Sequence, residues 1–247
     1  MKKFIYFLPI IALTIFSCGN NDEATGNLEL NFVATFDGQP VATNGTMFDY
    51  QNNQKLQFDE IRFFIGEIEL ENNDGSSTSI SEVELINLSG KDEVTAAAGE
   101  SVFLDKINSG DYKSIAFHIG LSERLNDQTP SELDATSPLQ DGSYWPVWGS
   151  FIFSTLTGKA DLDQDGIAEH GLVYHIGRNQ SVRTKIFPGE VLIEDGKTTQ
   201  LNFTFDIRDM LMANGQPFDI EQYNAIQEKS EIMENLADRM TSAFTRN

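Results

Sequence analysis

Apolar and polar positions alternate with a period of two through most of this chain. In LELNFVATF (28–36), Leu28, Leu30, Phe32 and Phe36 share one face, with Glu29, Asn31 and Thr35 opposite. LNFTFDIR (201–208) repeats the pattern with Leu201, Phe203, Phe205 and Ile207. DEIRFFIGEIEL (59–70) is apolar at Ile61, Phe63 and Ile65, then at Ile68 and Leu70. The phase slips at Gly66, which predicts a β-bulge there. Turn signals separate these runs: FDGQP (36–40), NNDGSS (72–77), NSGDY (108–112) and FPGE (187–190). Short strands punctuated by Gly and Asp predict an all-β fold, an antiparallel sandwich or barrel-like domain over 27–247. One C-terminal amphipathic helix (219–245) closes it. Asp219 and Gln222 form its capping box, and Ile220, Tyr223, Ile226, Met233, Ala237, Met240 and Phe244 recur at helical steps to dock it on the sheets.

The N-terminus breaks the pattern. Lys2 and Lys3 precede an apolar run from Phe4 to Phe16, short for a membrane span and built like a secretory signal. LTIFSC places small Ser17 before Cys18, as in a bacterial lipoprotein signal, so residues 1–17 read as a leader and Cys18 as the lipidated first residue. The alternative is a free thiol left on a cleaved leader. Cys18 is the one cysteine, which leaves no disulfide within the chain. The polar, acidic stretch after it reads as a tether (18–26). With Gly19 following the cysteine, the sequence points to an outer-membrane lipoprotein, facing the periplasm or the cell surface. The net charge of −21 repels phosphate backbones and argues against nucleic acid as a partner.

Four segments could carry chemistry. DLDQDGIAE (161–169) alternates Asp161, Asp163 and Asp165 before Gly166, with the Ile167 carbonyl and the Glu169 carboxylate within reach of one hard cation such as calcium. It departs from an EF-hand loop, since Leu172 stands where the bidentate Glu belongs. The other reading is an acidic hairpin loop without metal, and His170 goes with that loop. AFHIG (116–120) and VYHIG (173–177) hold two of the three histidines. Each strand spends its bulk on one face, and His118 and His175 look out from the other beside Ala116, Gly120 and Gly177. Two neutral imidazoles suit copper, zinc or nickel, and two separate surface histidines fit the same pattern. YWPVW (144–148) holds both tryptophans, after a long polar excursion (122–143). No nucleophile elbow, phosphate loop or zinc-protease helix is present, so the chain reads as a binding protein rather than an enzyme.

Several phrases in order along the chain resemble the MbnP-like family of copper-binding proteins. They are LELNFVATFDGQPV, LQFDEIRFFIGEIEL, SGDYKSIAFHIGLSERLN, PLQDGSYWPVWGSFIFSTLTG, YHIG and IMENLADRMTSAF. The resemblance covers most of the chain after the leader. It implies a β-rich fold and a copper site built on histidine. In some members a tryptophan there is oxidised to kynurenine by a di-haem, peroxidase-like partner. His175 matches the family's histidine position, Trp145 its Tyr-Trp position, and His118 a slot that is not always histidine. Val147 stands where a second tryptophan is usual, with Trp148 one residue later, so either Trp145 or Trp148 is open as the oxidised residue. On this reading the chain binds copper through His118 and His175 together, beside Trp145, for copper acquisition or handling. The alternative is a surface lipoprotein binding glycan or protein through its exposed tryptophans, with calcium holding the acidic loop.

Lipidation gives the first testable outcome. In a fractionated host, the wild-type chain is expected in the membrane pellet and Cys18→Ala in the soluble fraction, because acyl chains are what hold such a protein to a bilayer. A Cys18→Ala chain that still pellets with membranes would refute the anchor.

Overall fold

The structure, a computed structural model, describes residues 23–43 and 45–247. The expected leader and Cys18 lie outside the described residues. Strand structure begins at Thr25, inside the stretch read as tether. Among the described residues no helix is long and apolar enough to cross a membrane.

The strands run β1 (Thr25–Phe36), β2 (Gln39–Pro40), β3 (Met47–Asp49), β4 (Lys55–Glu71) and β5 (Ser77–Asn87). After a short helix α1 (Glu93–Ala98) come β6 (Glu100–Asn108) and β7 (Gly110–Ile119). The excursion carries α2 (Glu123–Asn126), and then follow β8 (Tyr144–Trp145), β9 (Ser150–Asp161), β10 (His170–Gly177), β11 (Arg183–Ile193) and β12 (Thr198–Asp206). The chain ends in α3 (Ile207–Leu211), β13 (Ala225–Ile226), α4 (Ser230–Ser242) and β14 (Phe244–Arg246). One sheet has the order β14-β12-β1-β2, with β6 on β1. The larger runs β11-β7-β4-β9-β10-β13, with β3 and β5 on β4 and β8 on β9. The result is an all-β sandwich, not a closed barrel.

The inward faces meet in an aromatic core. Phe32 of β1 stacks on Phe203 of β12 at 5.0 Å between ring centroids and meets Phe63 and Phe117 edge-on from the larger sheet. Phe205 and Phe244 stack at 4.9 Å. The large sheet also buries part of its outer face. Leu121, Leu125 and Leu139 of the excursion cover Phe64, Phe151 and Phe153 in a second cluster. Asn126, 2% exposed, ties this layer down. Its Oδ1 accepts the Phe151 N–H at 3.0 Å and its Nδ2 donates to Asn179 at 2.6 Å.

Two details depart from the sequence pattern. The sandwich is not wholly antiparallel: β1 and β12 pair in parallel from Asn27–Thr198 to Thr35–Asp206, and β13 runs parallel to β10. Turn signals constrain neighbours in sequence and say nothing of strands from opposite ends of the chain. The C-terminal helix is 230–242, not 219–245. Asp219 does cap one turn, accepting the Gln222 N–H at 2.9 Å. The chain then leaves the helical path so that Ala225 and Ile226 pair with β10. Ile220 and Ile226 are buried as the stripe required, through a turn and a strand rather than a helix. The bulge predicted at Gly66 is present: register with β7 breaks between Gly66 and Glu69, and Glu67 takes a positive φ of 46°.

Candidate metal centre

Alternation turns Arg62, Thr155 and His175 to the outer face of the large sheet, and register sets them in one row. Arg62 of β4 lies opposite Thr155 of β9, and Thr155 opposite His175 of β10. Beyond β10 the two-residue strand β13 ends at Ile226, which leaves Gln227 beside the histidine. Its Nε2 is 3.5 Å from His175 Nδ1. As placed, the Gln227 amide nitrogen donates to Nδ1; turned about its amide, the same side chain accepts Nδ1–H through Oε1 and leaves His175 Nε2 free for an ion.

A hairpin covers the row. β8 pairs with the start of β9, and the N–H groups of Trp148 and Gly149 both donate to the Trp145 carbonyl at 3.0 Å. This turn sets the Trp145 ring edge-on to the His175 ring, with centroids 5.4 Å apart and planes at 64°. Trp148 stacks on Trp145 at 5.6 Å, and the Arg178 guanidinium caps Trp148 at 5.1 Å. Gly177 makes room, since a Cβ there would fall 2.7 Å from the Trp148 ring. The Val147 side chain stands clear at the tip, 82% exposed.

Burial pushes the His175 imidazole below its ordinary pKa, and the charge of Arg62 pushes the same way. The ring is therefore held neutral, the form that binds a metal. Thr155 is buried, and its Oγ1 has no hydrogen-bond partner among the described residues. A neutral imidazole next to an orphaned buried hydroxyl fits a copper ion with one strong nitrogen ligand and weaker neighbours.

His118 is not part of this constellation. It does lie on the outer face, between Gly66 of β4 and Thr184 of β11. At Arg62 and Phe63, β4 is flanked by β5 and β9; at Ile65 and Gly66 it is flanked by β5 and β7. β9 and β7 thus follow one another along the same edge of β4. His118 projects onto β4 at Gly66 and His175 at Arg62, four residues or about 13 Å apart along the strand. His175 also lies one strand farther out. The structure does not bring the two imidazoles expected to share one ion together: both face outward, but register separates them.

The acidic loop does converge. Asp161, Asp163 and Asp165 bring one carboxylate oxygen each within 4.8 Å of one another. Asp161 is buried and shapes the loop, accepting the Gln164 N–H at 2.7 Å and the Gly166 N–H at 2.9 Å. Asp165 accepts the Ile167 N–H at 2.8 Å. Glu169 is exposed and outside the group, as is His170, which opens β10 opposite Ala160. Arg62, Thr155 and Gln227 were not singled out from the sequence. Alternation marks Arg62 and Thr155 as outward-facing, but only register joins them to His175.

A family model described as MbnP matches residues 25–233. Among solved structures the chain is similar to MbnP from Methylosinus trichosporium, with a TM-score of 0.51 at 17% identity over 76% of this chain and 77% of that one. At that identity the likeness is one of fold. No curated protein matches the sequence.

The buried imidazole sets a pH expectation. His175 has a lower pKa folded than unfolded, so its contribution to stability is present above the unfolded value near ~6.5 and is lost as pH falls through that value toward the folded one. In an NMR titration of the copper-free protein, His175 is expected to titrate below ~6.5 and to move upward in Trp145→Ala, which uncovers the ring. A wild-type value at or above the ordinary one would contradict the burial seen here.

Proposed function

The chain belongs to the MbnP family, and we propose that it is an exported copper-binding protein whose ion is held by His175 at the Trp145 hairpin. The observation carrying this reading is the edge-to-face contact of the neutral, half-buried imidazole with the Trp145 ring, with ring centroids 5.4 Å apart. His175 supplies the strong nitrogen ligand. Gln227 would orient the ring by turning its amide so that Oε1 accepts the Nδ1–H, as outer partners of metal-bound histidines do. Thr155 offers an oxygen from below. Copper, when bound, would supply a soft cation able to accept such mixed, low-number ligation. The family resemblance adds three parts to the proposal: oxidation of Trp145 to kynurenine, a di-haem peroxidase-like partner, and a lipid anchor on Cys18 at the outer membrane. Of the two tryptophans, Trp145 is favoured because it touches His175, whereas Trp148 touches Trp145 and Arg178. The role is binding and handling of copper rather than catalysis.

A calcium ion at Asp161, Asp163 and Asp165 is a separate part of the proposal, carried by the convergence of three carboxylates within 4.8 Å. Its role would be to order the loop leading into β10, and so into His175.

Copper stoichiometry and affinity decide the main reading. His175→Ala is expected to lose about a hundredfold or more in copper affinity, beyond the usual cost of an outer-shell change. His118→Ala is expected to bind like wild type. Equal losses in both variants, or none in His175→Ala, would overturn it.

Calcium is read by thermal melts. Ligand binding to the folded state alone raises the melting temperature with calcium concentration. That rise is expected in wild type and absent from the Asp163→Ala, Asp165→Ala double variant. A rise of the same size in the double variant would place calcium elsewhere.

A further inference from the structure

We propose that the ion pair between Arg62 and Asp141 is a clasp that seats the Trp145–Trp148 hairpin on His175, which makes Arg62 a positioning residue of the centre. The pair joins positions 79 residues apart, the middle of β4 and the end of the excursion. Arg62 Nη1 donates to Asp141 Oδ2 at 2.8 Å, with the side chains 22% and 11% exposed. Glu60 Oε1 lies 2.8 Å from Arg62 Nε, an ion-pair contact without hydrogen-bond alignment, so the directional grip on the guanidinium is the bond to Asp141.

The carboxylate passes this anchoring on to the hairpin. Asp141 Oδ1 accepts the Ser143 N–H at 2.9 Å, and Oδ2 accepts the Ser143 hydroxyl at 2.6 Å. The Ser143 carbonyl in turn accepts the Ile152 N–H at 2.9 Å. Asp141 therefore fixes the backbone at Ser143, immediately before Tyr144–Trp145. The pairing of β8 with β9 involves only Tyr144–Phe151 and Trp145–Ser150, too short to be stable by itself. Arg62 also stands in the row Arg62–Thr155–His175, so one side chain grips the cover of the site from the floor of the site. Removing Asp141 leaves Arg62 with only the Glu60 contact, and removing Arg62 leaves a largely buried carboxylate held only by Ser143; either change favours opening of the segment.

The clasp itself does not depend on copper; its effect on the ion rests on the reading of His175 given above, and the test separates the two. Both tryptophans of the chain lie in the hairpin, so intrinsic tryptophan fluorescence reports on it alone. In the copper-free full chain, acrylamide quenching is expected to rise about twofold in Arg62→Met and in Asp141→Asn as the hairpin opens locally. Arg62→Lys keeps the charge but not the planar fork and is expected to fall between wild type and Arg62→Met. Far-UV circular dichroism identifies variants that remain folded, with Asp141→Asn the milder of the two disruptions. Copper affinity should fall about tenfold in the same variants, as for other changes behind a metal ligand. Wild-type quenching in folded Arg62→Met and Asp141→Asn would overturn the clasp. Raised quenching with unchanged copper affinity would support the clasp and count against copper at His175.

Discussion

The length and register of β4 are the constraint on which the remaining geometry depends. Its 17 residues serve β5 on one edge and β9, then β7, on the other. A strand that long twists away from a single flat face, so its inward set must be re-phased to stay on the core. Register breaks do this twice, between Phe58 and Glu60 against β9 and between Gly66 and Glu69 against β7. The inward residues pass accordingly from Leu56 and Phe58 to Ile61, Phe63 and Ile65, then to Ile68 and Leu70, all buried. Because β9 and β7 are laid end to end along this strand, the outward face of the sheet is divided into separate neighbourhoods. His175 and Arg62 belong to one, His118 to another.

Much of this was legible in the amino acids. Period-two alternation fixed which side of each strand meets the core, and it placed both histidines outward. The slip at Gly66 announced its bulge, and Asp161, Asp163 and Asp165 announced a carboxylate cluster. What stayed hidden was pairing between distant segments. Nothing in AFHIG or VYHIG says how far apart two outward histidines fall, since that is settled by the residues of β4 they project onto. The helical spacing of Ile220, Tyr223 and Ile226 misled because burial every third residue was met here by a capped turn and a short strand. The slip near Asp59 leaves no mark like that at Gly66, because no glycine accompanies it.

Electrostatics inside the site run against the character of the whole chain. With 38 acidic and 17 basic side chains, the molecule as a whole favours protonated imidazoles. Around His175 the order is reversed locally: the guanidinium of Arg62 lies in its row, that of Arg178 caps the neighbouring indole, and the ring is shielded from water. Local burial and one nearby cation thus outweigh a distant, screened surface charge.

The parallel ladder between β1 and β12 has a consequence for the time course of folding. Leu28, Leu30 and Phe32 cannot be covered on that edge until Thr198–Asp206 has been made, and β14 closes the same sheet only with the last residues of the chain. Contacts of such sequence separation are slow to form, because a loop spanning most of the polypeptide must close before any of them is gained. A chain delivered N-terminus first can pair β1 with β6 early but keeps its other edge open until β12 has been made. The smaller sheet is completed late, at a moment set by chain length rather than by local propensity.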